Sequence, residues 1–553
     1  MVKKVVIIGG VAGGASCAAR LRRLDENAEI TIFEQGEYIS YANCGLPYYV
    51  SGVIKEKKSL IVAPEHHMRE RFKLDIRSST EVTSIDRAGK KVFAKELKTG
   101  LEYALPYDKL VLSTGALPLR PPIPGIENQR ILTVRTIDDV VHIRKIVEEN
   151  NAKTVAVAGG GFIGLEMAEN LAHAGCKVSL LEAAPQVMAP LDFEMAQLLH
   201  VELDSNGIDL YLDDPVSRFD SAENAVTAVL KSGTSITADF IILSLGVRPN
   251  SKLAQDAGLK LNPKGYIIVD EFMLTSDPDI YAVGDVVEIK DIVTGNKTAI
   301  ALAGPANKQG RVAANNIAGR RDTYKGAQGT SVLKLFNLTA ASTGANERTL
   351  KAQSIEYEKA YVTQGSNASY YPGAMPMTMK LLFSPDGERI FGAQIVGQNG
   401  VDKRIDILAQ AIRLGATVQD LTDFECAYAP PYSSAKDPVN MLAYTAQNII
   451  EGLFKFADWD FYKNDNLNRI ILDVHEEVER AFPKIPGAVN VTLGKLRDHL
   501  HELDKTKEIV VLCRRGTRAY IAARLLKQHG FENVKSYPGG ACLYYSSQYK
   551  SKH

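Results

Sequence analysis

The 553-residue sequence has no net charge, because 65 lysines and arginines balance 65 aspartates and glutamates. Without an excess of either sign, no overall field argues for nucleic acid or an acidic membrane as a partner. Long apolar runs are missing too, and none reaches the roughly 18 residues that a spanning helix needs. The start, Met1-Val2-Lys3-Lys4-Val5-Val6-Ile7-Ile8-Gly9-Gly10, has only a brief apolar run closed by glycine. It is expected to be a β-strand rather than an export signal. Cysteine is scarce, with six residues at 17, 44, 176, 426, 513 and 542 and no CxxC pair. That spacing excludes a disulfide framework and a paired-cysteine metal site, and it points to a reducing cytoplasm where thiols act as thiols. Low-complexity tracts are absent.

What is present is an ordinary globular composition, 45% hydrophobic and 24% charged, in a chain long enough for three to four domains. One internal echo stands out. Residues 4–34 and 154–182 each run strand, glycine turn, helix, strand, acid. A further alternating stretch, 240–285, closes on Ile280-Tyr281-Ala282-Val283-Gly284-Asp285, and 326–450 changes character, with strand-like runs at 331–336 and 389–396 before a helical segment at 402–414. An aromatic and polar stretch from 454 to 468 reads as a loose linker, after which strand 508–512, a Cys-Arg-Arg-Gly turn and a helix from about 517 form a last unit.

The echo is a pair of dinucleotide fingerprints. In the first, strand 5–8 leads into Gly9-Gly10-Val11-Ala12-Gly13-Gly14, with Val11 at the third motif position, and the second strand, 29–33, ends on Glu34. In the second, strand 154–158 leads into Gly159-Gly160-Gly161-Phe162-Ile163-Gly164, and Glu182 closes strand 178–181. Glycine at such a turn lets the backbone approach a pyrophosphate whose charge sits on the helix N-terminus. The acids suit a ribose 2′-hydroxyl, and at Glu182 this favours NADH over NADPH, which stays possible. Two copies imply two dinucleotides.

Just past the first fingerprint, Cys44 stands alone in Ser40-Tyr41-Ala42-Asn43-Cys44-Gly45-Leu46-Pro47-Tyr48-Tyr49. A thiol beside a nucleotide site offers a route for two electrons, and only the thiolate attacks or stores charge. Backbone N–H groups ahead of a short helix are expected to lower its pKa. With tyrosines where a second cysteine would stand, its sulfur partner must come from elsewhere.

The two fingerprints, with Leu112-Ser113-Thr114-Gly115-Ala116, Leu245-Gly246-Val247-Arg248-Pro249-Asn250 and Tyr281-Ala282-Val283-Gly284-Asp285, make residues 1 to about 450 resemble the two-dinucleotide flavoprotein disulfide reductases. The segment around Cys44 resembles their single-cysteine branch, which includes coenzyme A-disulfide reductases, NADH oxidases and persulfide reductases. The resemblance implies an α/β protein with two Rossmann-like dinucleotide-binding domains, an α+β dimerisation domain and a homodimer. It places FAD on Gly9 to Gly14, Glu34, Gln35, Asn43, Val82, Thr114, Gly115, Asp285 (on the ribityl chain) and Ala303, and NAD on Gly159 to Gly164, Glu182 and Gly246. It also implies a coenzyme A site from Ser16, Arg20, Arg23, Ser40, Asn43, Arg71 and Lys436. Tyr370 in Ser369-Tyr370-Tyr371-Pro372-Gly373 and Tyr428 in Ala427-Tyr428-Ala429-Pro430 would approach the active cysteine from the partner subunit, as phenols able to protonate a leaving sulfur. Asn367 departs from the pattern, since a histidine is usual there.

The last unit resembles an α/β rhodanese domain through Leu472-Asp473-Val474, Ile485-Pro486-Gly487-Ala488, Cys513-Arg514-Arg515-Gly516-Thr517-Arg518 and Gly539-Gly540. The loop is C-x4-R, sized for sulfur rather than phosphate. Backbone donors, the helix dipole and three arginines around Cys513 would stabilise a thiolate or persulfide. His475 takes the place of a usual arginine and Tyr544 that of a usual tryptophan. The expected layout is FAD domain 1–115 and 246–325, NAD(P)H domain 116–245, dimerisation domain 326–451, linker 452–468 and rhodanese domain 469–553. The combination implies an FAD-dependent NAD(P)H oxidoreductase that acts at Cys44 on coenzyme A persulfide, polysulfide or disulfide, with Cys513 carrying sulfane sulfur. Coenzyme A-disulfide reduction for thiol homeostasis, and an NADH oxidase or peroxidase cycling Cys44 through sulfenic acid with the last unit as a binding module, stand as alternatives.

Overall fold

The computed structural model describes residues 2–149, 152–463, 468–479 and 485–551. The chain forms two compact units, Met1–Ala183 with Asp214–Ala327, and Ala184–Asp213 with Gln328–His553. Among the described residues no helix is long and apolar enough to cross a membrane.

The first unit carries both fingerprints. Strands Ile280–Ala282, Lys109–Leu112, Lys4–Ile8, Glu29–Phe33 and Asp75–Arg77 lie side by side in that order, all parallel. Val5, Val6, Ile7 and Ile8 are all buried, as expected of a strand covered on both faces. Helix Ala12–Arg22 packs on helix Ala303–Ile317 so closely that a Cβ on Gly310 would lie 2.3 Å from the Gly13 carbonyl oxygen. A second parallel set runs Lys177–Leu181, Thr154–Ala158, Phe240–Leu243, Ile131–Leu132. The chain passes between the two through the antiparallel pair Ala116–Pro118 and Val247–Pro249.

In the second unit an antiparallel sheet runs Ser331–Leu335, Leu338–Gly344, Ile390–Gly397, Pro376–Phe383, Glu358–Gly365. Its third and fourth strands are almost wholly buried, covered in part by helices Val401–Leu414 and Pro438–Ile450. Lys380, in the middle of this sheet, is fully buried, its ammonium 2.7 Å from Asp192, 2.5 Å from Glu194 and 2.5 Å from Glu347. The Tyr361 hydroxyl donates to Glu194 at 2.9 Å. Helix Phe193–Ser205 is thereby tied into the sheet through Glu194.

The C-terminal part is a parallel sheet in the order Val489–Asn490, Arg469–Asp473, Glu508–Leu512, Val534–Ser536, with helix Thr517–Gln528. The stretch that reads as a loose linker is packed where it is described. Phe454 and Phe461 are buried, Phe454 meets Tyr520 edge-on at 5.1 Å, and Phe456 pairs with Ser536 as a parallel bridge beside the sheet edge. Its aromatic residues therefore serve as core. Residues 464–467 of that stretch lie outside the described residues.

Candidate active site

The two glycine turns are built alike. Gly9 and Gly159 hold left-handed φ angles of +100° and +106°, and a Cβ on Gly14 or Gly164 would lie 1.8 Å from the carbonyl oxygen of Gly9 or Gly159. Only glycine lets helix and strand close this tightly. The strand-end acids brace the turns: Gly10 N–H donates to Glu34 at 2.9 Å and Gly160 N–H to Glu182 at 2.6 Å. Glu34 also accepts from Gly36 N–H at 2.9 Å, while burial pushes its carboxyl upward. The sequence assigns these acids to a ribose; the structure adds the task of fixing the loop that would meet the pyrophosphate.

Around the first turn, the Thr114 hydroxyl donates to the Asn250 carbonyl at 2.6 Å, and Ala303 opens the helix that packs on Ala12–Arg22. Val82 is half-buried at a bulge in strand Thr80–Asp86, and Gln35 is exposed. Asp285 is half-buried and raised by that burial, with Arg135 opposing. Asn43 leaves its buried Oδ1 without a partner, an acceptor waiting for a donor from outside the chain. The glycine cradle and this orphan acceptor fit a flavin dinucleotide.

Cys44 is exposed, in the 3-10 turn Asn43–Gly45 directly ahead of the short helix Leu46–Val50. Its thiol is raised, contrary to the sequence expectation. Partial desolvation of the thiol contributes most, followed by the carboxylates of Glu166 and Asp285, and this single-turn helix does not offset them. Asp285 follows strand Ile280–Ala282 of the sheet that carries the first fingerprint, and Glu166 lies on helix Phe162–His173 of the second. The thiol thus feels a carboxylate from each fingerprint fold. Tyr48, one helical turn beyond Cys44, donates to Glu166 at 3.4 Å. Burial pushes Glu166 up to about 7 and Tyr48 up to about 12. Sequence reasoning missed Glu166; its only signal is an acid on an otherwise apolar helix turn just inside the second fingerprint.

A pH experiment follows. Above about pH 7 Glu166 carries charge and holds the Cys44 proton on; below it the carboxyl is neutral. Glu166→Gln is expected to speed iodoacetamide labelling of Cys44 severalfold, with the gap over wild type opening as pH rises through about 7. Peptide mass spectrometry of the labelled Cys44 peptide reads the rate, and superimposable profiles would sink the coupling.

Of the residues assigned to coenzyme A, Ser16 and Arg20 lie on helix Ala12–Arg22 and Arg23 caps its end. Ser16 meets Asn307 at 2.5 Å, and Arg20 donates to Asn315 at 2.9 Å. Arg20 is held below its usual value by desolvation and by Arg311, Arg320 and Arg23. The four guanidinium groups form a cationic patch suited to phosphate. Arg311 and Arg320 escaped sequence reading because they come from a helix and its flank nearly 300 residues away. Ser40 has a positive φ of 47°, and Arg71 is exposed on helix Glu65–Phe72. In the second unit, Lys436 is exposed, and the Tyr370 and Tyr428 hydroxyls meet at 2.7 Å although 58 residues separate them. Asn367 is buried and bonded to Ser366 at 2.8 Å.

Cys513 is buried at the end of strand Glu508–Leu512. Its sulfur accepts the N–H groups of Gly516 at 3.1 Å and Ala519 at 3.3 Å, the ring of backbone donors the sequence suggests. The arginines divide. Arg518 is pinned by Glu479 at 2.6 and 2.8 Å, which holds Glu479 down at about 2, and it also interacts electrostatically with Cys513. Arg515 is exposed and Arg514 half-buried. Gly246 precedes strand Val247–Pro249. Tyr544 is buried among Phe461, Tyr462 and Tyr537.

The paired glycine turns, with a solitary exposed thiol at Cys44, define the class as a dinucleotide-dependent oxidoreductase. Residues 3–310 match the pyridine nucleotide-disulphide oxidoreductases, 330–438 the dimerisation domain of those enzymes, and 460–545 the rhodanese-like domain. The chain belongs to the pyridine nucleotide-disulphide oxidoreductase family, whose cofactors are FAD and NAD(P)H. It is 34% identical over 448 residues to the coenzyme A disulfide reductase of Staphylococcus haemolyticus, covering 81% of this chain and all of that one. Among solved structures it is similar to reduced Bacillus anthracis CoADR-RHD, with TM-score 0.95 and 46% identity over 99% of this chain and 98% of that one. It is also similar to an NAD-dependent persulfide reductase from A. fulgidus, with TM-score 0.93 and 39% identity over 99% of this chain and all of that one.

Proposed function

We propose that this chain is an FAD-dependent NAD(P)H oxidoreductase that reduces coenzyme A persulfide, polysulfide or disulfide at Cys44, with Cys513 carrying sulfane sulfur. The observation that carries it is the exposed Cys44 thiol, within electrostatic reach of one carboxylate from each fingerprint fold. The Gly9 to Gly14 turn, Glu34, Asn43 and Asp285 would hold FAD, and the Gly159 to Gly164 turn and Glu182 would hold NAD(P)H; when bound, the pair would supply a two-electron route to sulfur.

The chain's own groups do the rest. Cys44 thiolate attacks one sulfur of the substrate, the S–S bond breaks, and a thiol such as coenzyme A leaves with a proton. Cys44 is left in a mixed disulfide or persulfide, and two electrons return it to the thiolate while thiol or sulfide departs. Arg20, Arg23, Ser16, Ser40, Arg71 and Lys436 bind the phosphate-rich end of the thiol. The dimerisation domain supports a homodimer in which Tyr370 and Tyr428 of a second copy supply the proton, their hydrogen-bonded hydroxyls forming one donor unit. Glu182 favours NADH.

The test is NADH oxidation measured side by side with coenzyme A disulfide, coenzyme A persulfide, polysulfide and oxygen. Turnover with the sulfur compounds is expected, and consumption of oxygen alone would replace this reading with an oxidase. Cys513→Ser is expected to lower polysulfide-driven turnover severalfold and to leave coenzyme A-disulfide turnover intact. Unchanged polysulfide turnover would make the rhodanese domain a docking module.

A further inference from the structure

Tyr370 and Tyr428 are 74% and 46% exposed, so packing alone does not hold their hydroxyls 2.7 Å apart. The segments that carry them are joined through their backbones. Ala368 N–H donates to the Ser433 carbonyl at 3.0 Å. Tyr370 stands inside the turn that Tyr371 N–H closes on the Ala368 carbonyl, and Tyr428 precedes the turn that Tyr432 N–H closes on Ala429, both at 2.9 Å. Arg404, 1% exposed on helix Val401–Leu414, bridges the same joint. On the Tyr370 side its Nη2 is 3.1 Å from the Ser366 carbonyl. On the Tyr428 side it is 3.4 Å from the Tyr432 carbonyl and 3.0 Å from Ser433 Oγ. Asp437, equally buried, accepts from Arg404 at 3.0 Å and from the Ser433 hydroxyl at 2.6 Å. The neighbouring Lys403 donates to the Ala427 carbonyl, next to Tyr428, at 3.2 Å. The helix start leaves room for the guanidinium, since a Cβ on Gly400 would lie 2.3 Å from Arg404 Nη1. A planar fork of donors engages two segments and a carboxylate in one geometry, which an ammonium on a flexible stem does not.

We propose that Arg404 is the positioning residue of the proton donor, holding the Tyr370 and Tyr428 segments in the one register that brings their hydroxyls together, with Asp437 and Ser433 fixing the guanidinium. This rests on the reading that the tyrosine pair of a second copy protonates the leaving thiol. In that step the Cys44 thiolate attacks one sulfur of the disulfide. The S–S bond breaks, and its electron pair goes to the departing sulfur, which takes a proton from one phenol. The phenolate left behind accepts a hydrogen bond from the other phenol and regains its proton from water. The step is an exchange, with no net oxidation. A donor displaced by about 1 Å costs on the order of 10²-fold in rate. A leaving thiolate that is stable without a proton escapes that cost.

Leaving-group acidity supplies the test. NADH-reduced holoenzyme is mixed with coenzyme A disulfide or, separately, with the mixed disulfide of coenzyme A and thionitrobenzoate, and release of the first thiol is timed. Thionitrobenzoate, the more acidic thiol, is the better leaving group and departs as the thiolate. Arg404→Lys keeps a charge beside Asp437 but loses the fork. It is expected to slow release from coenzyme A disulfide about 10- to 10²-fold, while thionitrobenzoate release, the half-saturating substrate concentrations and flavin reduction by NADH stay within about twofold. Ser433→Ala keeps the carbonyl that receives Ala368 and removes the hydroxyl between Arg404 and Asp437. It is expected to show the same selective loss at severalfold, so the outcome does not hang on folding of the lysine variant. Parallel loss with both disulfides would show a structural role, and no loss with either would show a bystander; both overturn the proposal. Full coenzyme A-disulfide turnover in a Tyr370→Phe, Tyr428→Phe double variant would instead overturn the donor reading on which it rests.

Discussion

Cys44→Ser is expected to abolish turnover of every sulfur substrate, by at least about 10³-fold, the scale on which loss of a nucleophile falls. Serine nearly matches cysteine in size, and the residue is exposed in a turn, so the fold has little reason to respond. The hydroxyl, however, stays protonated and forms no S–S bond, so the first covalent step has no attacking atom. The turns at Gly9 to Gly14 and Gly159 to Gly164 are untouched. The purified variant is therefore expected to retain FAD and to be reduced once by NADH without cycling. Sulfur reduction surviving in this variant would remove Cys44 from the reaction, and loss of FAD would show that the substitution had damaged the site rather than the chemistry.

Lys380→Met is expected to be the most destabilising single change in the second unit. The ammonium is fully buried and touches three carboxylates, whose oxygens lie within 4.8 Å of one another. Methionine fills most of the volume but leaves three acids facing each other without a counter-charge. Breaking a buried ionic cluster from one side costs about 3–5 kcal/mol, or roughly two to three and a half powers of ten in local opening. Hydrogen exchange of strand Pro376–Phe383 should accelerate accordingly. Without the cation the carboxyls would hold their protons to higher pH than in the unfolded chain. Stability of the variant is then lost as pH rises, and its deficit shrinks on acidification. A deficit under about 1 kcal/mol would mean that the cluster's attraction and its desolvation nearly cancel.

This cluster shows where the sequence is silent. Local pattern reveals the two turns, the acids that close them, the solitary thiol and the Cys-Arg-Arg-Gly loop, because each is a short run with a fixed spacing. Lys380, Asp192 and Glu347 are distant in sequence, and no periodicity announces that they meet. The same holds for Glu479 clamping Arg518, and for Arg311 and Arg320 beside Arg20. The pKa of Cys44 went the other way for a related reason: the short helix is local and readable, whereas burial and the carboxylates of Glu166 and Asp285 are tertiary.

The aromatic stretch at 454–461 has a consequence for transport. A carrier on a slack polymer tether samples space, and its effective concentration at a distant acceptor follows from chain length. Phe456, paired alongside Ser536, and Phe454, seated against Tyr520, remove that slack where the chain enters the rhodanese domain. On the proposed reading, transport between the two cysteines would rest on a diffusible thiol that picks sulfur up at one and unloads it at the other.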